Sequence, residues 1–71
     1  MWEGEDAEAI LRLLLSRRGQ VFSCKEISRT IDRRRFQEDA LWARRDLRKL
    51  LDHGRIEQDS SGYFFIPKDK A

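Results

Sequence analysis

A chain of 71 residues is too short for two domains, and one this small buries only about 60% of the surface its unfolded form exposes. Apolar and charged residues each make up 39% of it, at a net charge of only +2; a disordered chain carries charge mostly of one sign and lacks patterned apolar residues. The sequence therefore reads as a single folded domain, residues 1–71, with an ordered core over about 5–67.

The first helix is expected over about 5–18. Its acids gather at the start, and Arg17 and Arg18 stand at the end, both favourable to the helix dipole. Ala7, Ile10, Leu11, Leu14 and Leu15 recur at helical spacing as one apolar stripe, and Gly19 supplies the stop. Gln20-Val21-Phe22-Ser23 is too short for a helix and strand-prone, so Val21-Phe22 is a candidate third strand. Ser23 and Glu26 form a capping box, which starts the second helix at about Cys24. Cys24, Ile27 and Ile31 give that helix a narrow buried edge, and it should end near Asp32.

Arg33-Arg34-Arg35 then reads as a turn, followed by a long third helix over about 37–53. Glu38 and Asp39 fall in its first turn, and Gly54 closes it. At about 100° per residue, Ala40, Ala43, Leu47, Leu50 and Leu51 share one face. The opposite face carries Glu38, Leu41, Trp42, Arg45, Arg48, Lys49 and Asp52. Residues 55–67 read as two strands around a tight turn, because Asp59, Ser60, Ser61 and Gly62 are turn formers and the aromatic run after them is strand-prone. Residues 68–71 read as a frayed tail. The expected core is Ile10, Leu11, Leu14, Phe22, Ile27, Ile31, Leu47, Leu50, Leu51, Ile56, Phe64 and Ile66.

The order helix, short strand, short helix, turn, long helix, hairpin resembles the winged helix-turn-helix family over about residues 5–67. The most telling match is Leu47-x-x-Leu50-Leu51-x-x-Gly54-x-Ile56, followed by Gly62-Tyr63-Phe64-Phe65-Ile66. The resemblance implies a mostly α, α+β fold: three helices with a small antiparallel β-hairpin, the wing. It also implies double-stranded DNA as partner, with the third helix in the major groove, as in a transcriptional regulator. By position, Gln37, Glu38, Leu41, Trp42, Arg45 and Arg48 would face the groove, Arg45 being the best reader of a guanine edge. Arg33, Arg34, Arg35, Lys49 and Arg55 would hold phosphates. A solvated turn is the plainer reading of the arginine triplet.

Charge distribution suits a polyanionic partner, with a solvated surface of mixed charge as the plainer alternative. Residues 1–8 hold four acids and no base, so the rest of the chain carries all 15 basic residues against nine acids, +6. Three features pull the other way. Glu38 and Asp39 stand at the leading end of the helix that would enter the groove, where dipole stabilisation or cytosine contact are their other roles. The turn 59–62 has an acid and no base, which disfavours a minor-groove contact by the wing. Leu41 and Trp42 form an apolar pair that would suit a protein-docking adaptor instead, unless Trp42 folds back over the second helix to finish a small core. RNA is a further, weaker alternative.

Catalysis finds little support. His53 is the sole histidine and Cys24 the sole cysteine, too few for a metal set or a disulfide, and there is no glycine-rich phosphate loop. No cofactor and no small-molecule substrate is expected. The longest apolar run, 13–15, is far short of a membrane span, and the acidic start differs from a signal peptide's basic one. These features lead us to expect a cytoplasmic (nucleoid) or nuclear protein.

Overall fold

A computed structural model describes residues 4–69 of the chain. About half of the chain is helical, and the architecture is α+β, mostly α. Among the described residues the elements run α1 (Glu5–Ser16), α2 (Cys24–Ile31), α3 (Arg33–Glu38), α4 (Arg44–Asp52), β1 (Glu57–Gln58) and β2 (Phe64–Phe65).

Helix α1 places Glu5, Asp6 and Glu8 in its first turn and buries Ala7, Ile10, Leu11 and Leu14. Leu15, expected on the same stripe, is 46% exposed. The helix stops at Ser16, two residues before the expected end, as the Ser16 hydroxyl donates to the Leu13 carbonyl at 2.7 Å. Gly19, at φ +85°, then turns the chain, a backbone conformation that other residues adopt only under strain. Its amide donates to the Ile66 carbonyl at 2.8 Å, and Lys68 packs where a Cβ on Gly19 would sit. The expected tail thus begins against the body of the domain at Lys68, while 70–71 lie outside the described residues.

Phe22 exchanges two backbone hydrogen bonds with Phe64, of 2.9 and 2.8 Å, so the expected third strand is reduced to a single antiparallel bridge. The capping box starts α2 as the sequence predicts. The Ser23 hydroxyl accepts from the Glu26 amide at 3.1 Å, and the Glu26 carboxylate accepts from the Ser23 amide at 3.0 Å. Replacing Ser23 by Ala is expected to cost about 1 kcal/mol and to lower the melting temperature by roughly 4–8 °C. A thermal melt of the two chains checks this; an unchanged midpoint means that the box does not set the start of α2.

The third helix is where sequence and structure part. In place of one helix over 37–53 there are two, α3 and α4, joined by turns over 39–43. The arginine triplet expected as a turn is the first turn of α3, because the Asp32 carboxylate caps it by accepting from the Arg35 amide at 3.2 Å. Glu38 and Asp39, expected to open the long helix, instead end α3. Asp39 is extended, at φ −151° and ψ 103°; its carboxylate accepts from the Leu41 amide and its carbonyl from the Trp42 amide.

The break is held by a tertiary contact. Ser28 of α2 is fully buried; its hydroxyl accepts from the Ala43 amide at 3.2 Å, and its carbonyl accepts from the Trp42 indole N–H at 2.9 Å. A continuous helix would send the Ala43 amide to the Asp39 carbonyl instead. Trp42 is consequently 9% exposed and belongs to the core, bonded to α2: of the two places the sequence left open, the fold-back over the second helix holds and the outward-facing one does not.

Helix α4 buries Leu47 and Leu50, with Ala43 just before it. Ile31 and Leu51, both expected in the core, are only partly buried against it. The Gly54 amide donates to the Leu51 carbonyl and the Arg55 amide to that of Leu50, so the chain leaves α4 through Gly54 at φ +71°. β1 and β2 pair antiparallel, Glu57 opposite Phe65 and Gln58 opposite Phe64. Between them one Asp59 carboxylate oxygen accepts from the Ser61 and Tyr63 amides, both at 2.9 Å, and Gly62 takes φ +90°. Ile56, Phe64 and Ile66 turn into the same core as α1, α2 and α4.

Candidate nucleic-acid interface

With Ala43, Leu47 and Leu50 turned inward, α4 presents Arg44, Arg45, Arg48 and Lys49 as exposed residues over little more than one turn. Helical spacing puts Arg45 near the middle of the outward face. Arg44 and Arg48, four apart, lie on the flank towards the hairpin, and Lys49 lies on the flank towards α1. None of the four cations takes part in a salt bridge among the described residues. Asp46 is half-buried and Asp52 exposed, so the helix keeps a clear excess of positive charge.

Two clefts run beside α4. On the hairpin side, a cleft of about 320 Å³ has Leu41, Leu51, Cys24 and Phe64 in its lining and Arg44, Arg48 and Gln58 beside them. Burial raises the Cys24 thiol above its ordinary range, so it stays protonated. On the α1 side, a more polar cleft of about 430 Å³ gathers Asp6, Arg35, Trp42, Arg45, Asp46 and Lys49.

The residues singled out from sequence are thus divided. Arg45, Arg48 and Lys49 share α4. Gln37 and Glu38 are exposed but sit on the last turn of α3, a separate helix, so they do not continue the α4 face. Leu41, in the turn before α4, is 37% exposed. Arg33 and Arg34 are exposed in the first turn of α3, and Arg55 is exposed just past Gly54.

Arg35 is engaged inside the molecule. Its Nη1 donates to both carboxylate oxygens of Asp6, at 3.0 and 2.9 Å, and its guanidinium carbon lies 4.0 Å from the centroid of the Trp42 ring. The bond to Asp6 keeps this guanidinium even more firmly protonated than an ordinary arginine. Arg35 and Trp42 therefore leave the set of side chains expected to be open to a ligand. Arg44 enters it, and the sequence did hold its signal: it stands four residues before Arg48, on the same flank.

The turn 59–62 contributes no cation. Its one acid, Asp59, is half-buried with a carboxylate oxygen bound to two turn amides. Among the described residues no group of His, Cys, Asp and Glu could hold a metal ion, and no helix is long and apolar enough to cross a membrane. Comparison with family models, with curated proteins and with solved structures gives no significant match.

Proposed function

We propose that this chain is a winged helix-turn-helix domain that binds double-stranded DNA, with α4 in the major groove, as part of a transcriptional regulator. The observation that carries the reading is the unpaired cationic face of α4. Four exposed basic side chains stand on one short helix, with no acid bonded to any of them among the described residues. Exposed cations are ordinary on a solvated helix, but four on one short face are a set that counterion release on phosphates rewards.

Three further features support it. The leucine-rich α4, leading through Gly54 into the hairpin, fits a recognition helix followed by a wing, with α3 as an added short helix before it. The width of α4 with its side chains, about 10–12 Å for any α-helix, is one that the major groove, roughly 12 Å wide, admits. The first turn of α3 holds three arginines and no acid, which opposes the helix dipole; contact with phosphate would give Arg33 and Arg34 a use there.

In this arrangement Arg45 reads a base edge and is the candidate for a bidentate bond to guanine. Arg44, Arg48 and Lys49 hold phosphates on either flank, and Arg33, Arg34 and Arg55 extend the contact beyond α4. The adaptor alternative loses Trp42 to the core and rests on Leu41, beside the apolar lining of the hairpin-side cleft.

The test is a titration of fluorescently labelled duplex at several salt concentrations between about 50 and 200 mM. Each phosphate contact contributes about 0.9 to the slope of log affinity against log salt, so a slope of at least about 3 in magnitude is expected from Arg44, Arg48, Lys49 and the α3 pair. Absence of binding, or a slope near zero, overturns the DNA reading and leaves the adaptor.

A further inference from the structure

The Asp6–Arg35–Trp42 contact joins three segments that are far apart in the chain. The carboxylate comes from the first turn of α1, the guanidinium from the first turn of α3, and the ring from the turn that leads into α4. Both charged side chains remain well exposed, at 45% and 38% for Arg35 and Asp6. Pairs of this kind add little to stability. The contact also sits in the cleft that Arg44, Arg45 and Lys49 line together with Asp39 and Asp46, at the border of the face assigned above to DNA.

A carboxylate and a phosphodiester offer a guanidinium the same thing, two anionic oxygens at hydrogen-bonding distance. The Trp42 ring, 4.0 Å from the guanidinium carbon, holds the arginine in place whichever anion it meets, because a cation is attracted to the face of an indole. We infer that Arg35 is an anion seat for a backbone phosphate of the duplex, occupied in the free chain by the Asp6 carboxylate. Asp6 is thus an internal competitor with DNA. Asp32 and Asp46 also act on the Arg35 charge, but of these acids only Asp6 bonds to the guanidinium. The inference rests on the DNA reading and adds to it that the Asp6 carboxylate holds affinity down.

Asp6→Asn removes the competing charge and keeps the shape of the side chain. It is expected to tighten duplex binding about two- to fivefold near 50 mM salt, the range set by an exposed ion pair. The gain should shrink towards 200 mM as screening grows. The decisive arm is the same substitution in an Arg35→Gln background, where no seat remains and the gain disappears. If Asp6→Asn tightens binding equally with and without Arg35, the effect is general charge repulsion and the seat is overturned.

No gain in Asp6→Asn, with the chain folded by circular dichroism, overturns it as well. Asp6→Ser, also compatible with a first helical turn, is expected to give the same gain, so the outcome does not hang on one variant. Binding by the unaltered chain is the control. If that is absent, the DNA reading fails and the seat with it; if it is present and salt-dependent, only the seat is at stake.

Discussion

Exchanging Arg44, Arg45, Arg48 and Lys49 together for glutamine is expected to lower affinity for duplex DNA by on the order of 10²–10³-fold near 50 mM salt, with the fold unchanged. Glutamine keeps the helix propensity of the residues it replaces. All four side chains are exposed and none is in a salt bridge among the described residues, so the melting temperature should move little. The slope of log affinity against log salt should flatten by about 3, one step of roughly 0.9 for each of three phosphate contacts. Arg45 behaves differently if it reads a base. Its single change to glutamine relaxes preference at one base pair, at a cost of about 1–3 kcal/mol. The measurement is the salt series already described, run on the single and quadruple variants. A quadruple variant that binds like the parent removes α4 from the contact surface and leaves no basis for the proposed docking.

Much of this surface was legible in the sequence, and the part that was not has a definite cause. The capping box of Ser23 and Glu26, the stops at Gly19 and Gly54 and the turn before Gly62 are local signals, and local signals survive folding. The apolar period of Ala43, Leu47 and Leu50 survived too, because it reports which face is buried and not whether the helix is continuous. What the sequence could not announce was a serine on one helix holding the backbone of another. Ser28 looks like an ordinary polar residue on a short helix; only the tertiary fold buries it fully and turns it to the Ala43 amide and the Trp42 indole.

That contact moved the start of the basic helix from about 37 to Arg44. It separated Gln37 and Glu38 from Arg45, and it carried Trp42 from the outer face of the expected helix into the core. Asp32 and Asp39 do carry a local signal for two helices, since aspartate side chains hydrogen-bond nearby amides more readily than they sit inside a helix. The Asp6–Arg35 pair, 29 residues apart in sequence, had no local signal at all.

The burial of Trp42 makes a second large effect measurable. Trp42→Ala is expected to destabilise the domain by about 3–5 kcal/mol, the usual cost of truncating a buried aromatic side chain. Two losses act together: the indole leaves a cavity between α2 and α4, and Arg35 loses the ring beneath its guanidinium. The Ser28 carbonyl is not orphaned, because it also accepts from the Asp32 amide at 3.2 Å, so the loss is chiefly one of packing. For a domain of this size, total stability is roughly 4–10 kcal/mol, and the variant should therefore be partly or wholly unfolded at 37 °C. Trp42→Phe, which keeps much of the buried area and gives up only the indole hydrogen bond, should lose about 1–2 kcal/mol. Urea unfolding of both variants gives the two values. In a Trp2→Phe background the remaining fluorescence reports Trp42 alone, and acrylamide should quench it weakly in the folded chain and strongly in urea. Easy quenching without denaturant, together with a stable Trp42→Ala, would put the indole back on the surface, release the α3–α4 break from its anchor and return the apolar pair Leu41–Trp42 to contention as a docking site.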